Sequence, residues 1–160
     1  MTAAPFSGLG RPLVLLLSGP NLNLSGEREP EIYGSATLAD HERIARTEAE
    51  RHGLDLEHLQ SNHEGELVDA IHGARGRCAA IVINAGAFTH YSWAIHDALA
   101  TFDDDGPIVE VHLSNPDARE PWRRTSVVAP VATGSIVGFG ATGYRLALDA
   151  VASVLAEGAP

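Results

Sequence analysis

The chain contains no lysine: all eleven of its basic residues are arginine. That absence excludes a lysine Schiff base, a phosphate-loop lysine and a lysine general base. Cysteine is almost as scarce. Cys78 stands alone, so no internal disulfide and no cysteine-based zinc site can form. It opens the apolar stretch CAAIVIN, where a buried structural thiol is favoured over a nucleophile. No apolar run approaches the roughly 20 residues needed to cross a bilayer. The first eleven residues, MTAAPFSGLGR, lack a charged segment followed by an apolar one, so they read as a loose tail rather than a signal peptide. A cytoplasmic location is the resulting expectation. Positive charge is also in deficit. The formal net charge of −10 disfavours nucleic acid or an anionic membrane as a partner.

What is present suits one soluble domain, since 160 residues support a real core but not two ordinary ones. Residues 12–18 (PLVLLLS) form a continuous apolar run, as expected of a central strand covered on both faces. Thr37 with Asp40 three positions later marks the start of a helix over 37–52, ended by His52-Gly53. A less buried strand is predicted at 54–60, and a helix at 64–75 with Leu67, Ile71 and Ala74 on one face. A strand (79–84), a helix (92–102) and a strand (107–113) follow. A Pro-, Arg- and Trp-rich passage (115–124) then leads to a broken β segment ending in SIVGFG. A last helix, 143–156, should bury Ala147, Ala150, Val151 and Val154. This alternation predicts a single doubly wound α/β domain over 12–160 with a mainly parallel sheet, preceded by the 1–11 tail.

In such sheets, ligands sit beyond the carboxyl ends of the strands. GPNLNLSGEREPEIYG, SNHEGE, NAGAFTH and HLSNPDAREPWR each follow a predicted strand, and they hold the densest collections of Asn, His, Arg and Ser. Solvation alone would decorate both edges, so one edge reads as an active site. Three other motifs carry less. GFGATG (138–143) matches a dinucleotide fingerprint, but the chain ends before the further strand and acidic residue that fold needs. Its glycines are read as allowing close strand–helix packing. DDDG (103–106) lacks a glutamate at the twelfth position of a calcium loop, where Ser114 stands, and reads as a solvated turn. The eight histidines show no ligand spacing, so no metal is expected.

Two pairs carry chemistry. Glu110 and His112 are two apart on a strand and share a face. A carboxylate beside an imidazole fixes its tautomer and favours its charged form, which suits a general acid. Alone, a strand-end histidine is usually structural; the position at the crevice favours the acid. Arg28 and Tyr33 close a connection of about 17 residues, long enough for a lid. A guanidinium held against a phenol favours phenolate, a usable base. A solvated arginine with an anchoring ring is the competing reading, and the pattern leaves both open.

With those residues in hand, the chain resembles the type II 3-dehydroquinate dehydratases (type II dehydroquinases). The resemblance rests on GPNLNLSGEREPEIYG (19–34), QSNHEGELVDAIHGA (60–74), IVINAGAFTHYSWAIHDAL (81–99), VEVHLSNPDAREPWR (109–123) and GFGATGYRLAL (138–148), in order from residue 13 onward. It implies a flavodoxin-like five-stranded sheet in the order 2-1-3-4-5, and a dodecamer built as a tetramer of trimers. The reaction it implies is cofactor-free, metal-free anti dehydration of 3-dehydroquinate to 3-dehydroshikimate, in aromatic biosynthesis or quinate breakdown.

By the same resemblance Tyr33 is the base, Arg28 activates it, and Asn21 holds a water against the enolate. His112, oriented by Glu110, protonates the leaving hydroxyl. Asn84, His90, Leu113 (through its backbone), Ser114, Arg119 and Arg123 hold substrate. Asp97 reaches a neighbouring subunit's site, and 25–33 is a mobile lid. The lysine-dependent solution to this dehydration is closed to a chain without lysine. Ser25 departs from the leucine expected in the family, which implies a looser lid; Asn115-Pro116 and Trp122 are further departures. A flavin-binding or receiver module of the same fold is the first alternative, but the Ser/Thr-rich phosphate loop, the acidic cluster and the lysine these need are absent. A catalytically dead oligomer is the second, and the joint presence of Tyr33, Arg28, Asn84, His90 and His112 argues against it.

Overall fold

The computed structural model describes residues 10–158, so the predicted 1–11 tail falls mostly outside them. Strand β1 (Leu13–Ser18) pairs in parallel with both β2 (Asp55–Gln60) and β3 (Ala80–Asn84). Flanked on both sides and covered on both faces, it has no side for polar residues, hence the run LVLLLS. Strands β4 (Ile108–His112) and β5 (Gly134–Val137) complete an all-parallel sheet in the order β2-β1-β3-β4-β5. This is the flavodoxin-like arrangement expected. The edge strand β2 leaves Asp55 and Glu57 exposed, which accounts for its partial alternation.

Successive side chains of β1 point to opposite faces. Val14 and Leu16 join a core with Ala45 and Ala49 of α2 (Leu38–Arg51) and with Tyr144, Ala147, Leu148 and Val151 of α5 (Thr142–Glu157). Leu15 and Leu17 meet Leu67, Ile71 and Ala74 of α3 (Glu64–Ala74) and Ile95, Ala98 and Leu99 of α4 (Trp93–Ala100). The α5 face is rotated slightly from expectation: Leu148 is buried, while Ala150 and Val154 are only half-buried.

Helix α2 opens on the expected capping box. Thr37 Oγ1 accepts from the Asp40 N–H at 3.2 Å, and the Asp40 carboxylate accepts from the Thr37 N–H at 3.0 Å. The stretch after β1 is more ordered than a plain loop. It forms a tight turn at Leu22–Leu24 and a one-turn helix α1 (Pro30–Tyr33), whose proline supplies a helical φ where no N–H partner is needed.

Gly19 explains how that stretch is anchored. Its N–H bonds the Asn84 carbonyl at 2.7 Å, so close that a β-carbon at Gly19 would collide with the Ala85 backbone. Behind β5, Gly138 (φ 87°) and Gly140 (φ 55°) turn the chain into α5, and a β-carbon at Gly138 would press on Asn115. The GFGATG stretch is thus a tight turn. Cys78 is fully buried, and burial pushes its thiol up, as suits a structural residue. In DDDG, Asp105 accepts from the Gly76 N–H at 3.0 Å, tying that turn to the end of α3. Among the described residues no helix is long and apolar enough to cross a membrane.

Candidate active site

The strand ends converge on a cleft open to solvent. Asn21 and Arg28 reach it from the β1–α2 connection, Asn84 and His90 from the end of β3, and His112, Ser114, Arg119 and Arg123 from β4 and the passage after it. Tyr33 completes the wall, its ring packed on the core face that α2 and α5 cover.

His112 sits at the carboxyl end of β4, and its Nε2–H donates to Glu110 Oε1 at 2.8 Å. Two residues apart on one strand, they share a face as expected. The carboxylate also accepts from Ser126 Oγ and Ser135 Oγ, each at 2.7 Å. Burial pushes the Glu110 carboxyl up, but the hydrogen bond and charge of His112 and the two serine hydroxyls outweigh it and hold it below its usual value. Glu110 therefore stays anionic and fixes the proton on Nε2. The opposite ring nitrogen, Nδ1, has no hydrogen-bond partner among the described residues.

His90 lies beside it, with ring centroids 6.5 Å apart and planes within 17°. Its Nδ1–H donates to the Thr125 carbonyl at 2.8 Å, leaving Nε2 as the free nitrogen. Burial depresses its basicity, and the Thr125 hydrogen bond opposes that in part. His90 is thus a neutral imidazole near pH 7.

The arginine at the phenol is Arg119. Its Nη1 donates to the Tyr33 hydroxyl at 2.7 Å and to Ser114 Oγ at 3.3 Å. Arg28 makes no bond to the hydroxyl; like Arg119, at 5.0 Å, it lies over the ring, 5.6 Å from the centroid, and its Nε pairs with Glu29 at 3.3 Å. The geometry thus brings together Tyr33 and two arginines, where the sequence pattern singled out one. Arg123 is held by Glu120 at 2.7 Å and stacks over Trp122 at 4.1 Å.

Asn21 adopts a left-handed backbone (φ 66°), and its N–H is tied to Asn62 Oδ1 at 2.9 Å. Ser25, expected to loosen the lid, returns its hydroxyl to the Leu22 carbonyl at 2.7 Å. Leu113 is buried at the rim, its carbonyl taken by the Gly140 N–H at 2.9 Å. Asp97 is exposed on α4 and does not line this cleft. Sequence reasoning passed over Gln60, Asn62, Ser126, Ser135 and Tyr144, whose partners lie far along the chain.

The residues 12–152 match the family described as dehydroquinase class II. The chain belongs to that family. It is 54% identical over 147 residues to the 3-dehydroquinate dehydratase 2 of Pseudomonas putida, covering 92% of this chain and 97% of that one. It is 55% identical to the catabolic 3-dehydroquinase 1 of Aspergillus terreus, over 87% of this chain and 90% of that one. The crystal structure of a type II dehydroquinase from Butyrivibrio crossotus superposes with a TM-score of 0.85 at 42% identity, over 88% and 97% of the two chains. These dehydroquinases are hydro-lyases, and the protein is an enzyme of that class.

Proposed function

We propose that the protein dehydrates 3-dehydroquinate to 3-dehydroshikimate through an enolate, with no metal or organic cofactor. The observation that carries this reading is the opposition, across one cleft, of a tyrosine held by a guanidinium and a histidine held by a buried carboxylate. The 3-dehydroquinate dehydratase names of the relatives point to the same substrate.

Tyr33, as phenolate, takes a proton from the carbon next to the ketone. Arg119 donates to its oxygen and Arg28 lies over its ring, so positive charge faces the phenol on two sides. A water on Asn21 meets the enolate charge, so the electron pair rests in a polar pocket instead of bulk solvent. The enolate then collapses and expels the tertiary hydroxyl. His112 supplies the proton from Nδ1, so that group leaves as water, while Glu110 steadies the imidazolium beforehand. Asn84, His90, Ser114, the Leu113 backbone and Arg123 hold the substrate, and the turn and helix of residues 25–33 close over it.

Asp97 serves a neighbouring subunit in a dodecamer made of four trimers. Tyr91 and Trp93, 59% and 63% exposed just before and at the start of α4, supply the apolar surface such a contact buries. The compartment is the cytoplasm, and the same chemistry serves aromatic biosynthesis or quinate breakdown.

Adding 3-dehydroquinate to the purified protein should raise the ultraviolet absorbance of the conjugated enone, equally with and without a chelator. A flat trace from folded protein would remove the assignment. Loss of the signal with chelator would remove the metal-free route.

A further inference from the structure

Beneath the cleft, a run of buried polar groups leads away from Asn84. The Asn84 side chain is 3% exposed, and its Oδ1 accepts from the Gly86 N–H at 3.2 Å. A backbone N–H can only donate, so this contact settles which end of the amide is oxygen. The amide nitrogen Nδ2 faces the hydroxyl of Tyr144 at 3.2 Å. Tyr144 is fully buried on α5 and also meets Ser18, which is 1% exposed at the end of β1. Ser18 Oγ lies 3.0 Å from Nε2 of His58, and Nδ1 of His58 lies 3.1 Å from a Glu42 carboxylate oxygen.

The two ends of this run have determined directions. Arg46 and His58 donate to Glu42 and hold its carboxyl below its usual value, so it is anionic and accepts only. His58 therefore carries its proton on Nδ1 and accepts at Nε2 in its neutral form. Ser18 donates to that nitrogen when His58 is neutral. Tyr144 accepts from Asn84. Burial pushes the Tyr144 phenol up to about 12, so its proton stays in place. One Asn84 N–H is consumed by Tyr144 and the second is left for the cleft that Asn84 lines.

The geometry points to Tyr144 as a positioning residue for Asn84: its hydroxyl on Nδ2 and the Gly86 N–H on Oδ1 hold the amide so that an N–H, not the carbonyl, faces the substrate. Its ligand would be an acceptor oxygen, a hydroxyl or carboxylate of the bound polyol acid. This link rests on the dehydratase reading. The neighbouring His41, with its ring 5.2 Å from that of Tyr144 and neither nitrogen bonded among the described residues, takes no part in the chain.

Removing the Tyr144 hydroxyl while keeping the ring tests this. In Tyr144→Phe the amide keeps the Gly86 N–H but loses its second anchor, and a contact made equally in ground and transition states is weakened, so KM should rise about 10-fold with kcat within about 2-fold of wild type. In an Asn84→Ala background the same change should add nothing. Ser18→Ala, one link further out, should raise KM about 3-fold, also only when Asn84 is present. It serves as the second variant if Tyr144→Phe does not fold. A wild-type KM in folded Tyr144→Phe, or an equal rise without Asn84, would overturn the link while leaving the function standing. A wild type silent toward 3-dehydroquinate would overturn the function and the link with it.

Discussion

Tyr33 shows how one side chain acquires a role from distant neighbours. Its hydroxyl receives a guanidinium from 86 positions along the chain, and a second guanidinium covers its ring. Replacing Tyr33 by Phe keeps the packing and removes the base, so kcat should fall by about 10²–10⁴-fold with little change in KM; steady-state turnover of 3-dehydroquinate measures it. Arg119→Ala should cost more turnover than Arg28→Ala, because only Arg119 donates to the phenol oxygen. An equal loss in both would place the activating charge elsewhere. The pattern of residues could not rank these arginines: Arg28 and Tyr33 are close in sequence, and spacing says nothing of a loop returning after β4. Glu110 and His112 were legible because strand geometry alone aligns positions two apart. Their serines were not, since Ser126 and Ser135 reach Glu110 from 16 and 25 positions on.

The elements hold the cleft by simple devices. Deleting the cap in Thr37→Ala should cost about 1 kcal/mol of stability in urea unfolding. Asp40 adds a pH signature. Hydrogen bonds from the Thr37 N–H and hydroxyl, and then from Arg43, lower its carboxyl from 3.8 to about 2. A depressed carboxyl stabilises the fold above its unfolded value, and that contribution is lost as pH falls from about 4 through about 2. Asp40→Asn should flatten this part of the acid limb; an unchanged limb would remove the cap from the account. Thr37 and Asp40 were readable because capping is local. So were β1, β3 and β4, whose burial on both faces makes them mainly apolar until they reach the cleft. The one-turn helix at Pro30–Tyr33 was not, because four residues carry no period. The edge strand β5, only four residues long and glycine-flanked, gave little more than a broken β signal.

At the scale of the whole molecule, the sheet order brings the ends of β1, β3 and β4 to one edge, and the chemistry follows from that edge. The proposed dodecamer adds Asp97 to it from another subunit. Asp97→Ala should lower turnover while light scattering still reports twelve chains; a wild-type rate would confine the site to one protomer. Borohydride tests the enolate route at this scale: enzyme treated with substrate and borohydride should keep its mass and its turnover, and a covalent adduct with loss of activity would contradict it. The division of labour across the cleft is most directly measured by proton NMR of 3-dehydroquinate in heavy water with the His112→Ala variant. That variant keeps the base and loses the acid. The account predicts deuterium entering the carbon next to the ketone with little loss of water, and no exchange when Tyr33→Phe is added. Undiminished dehydration by His112→Ala, or exchange that survives the loss of the Tyr33 hydroxyl, would contradict it.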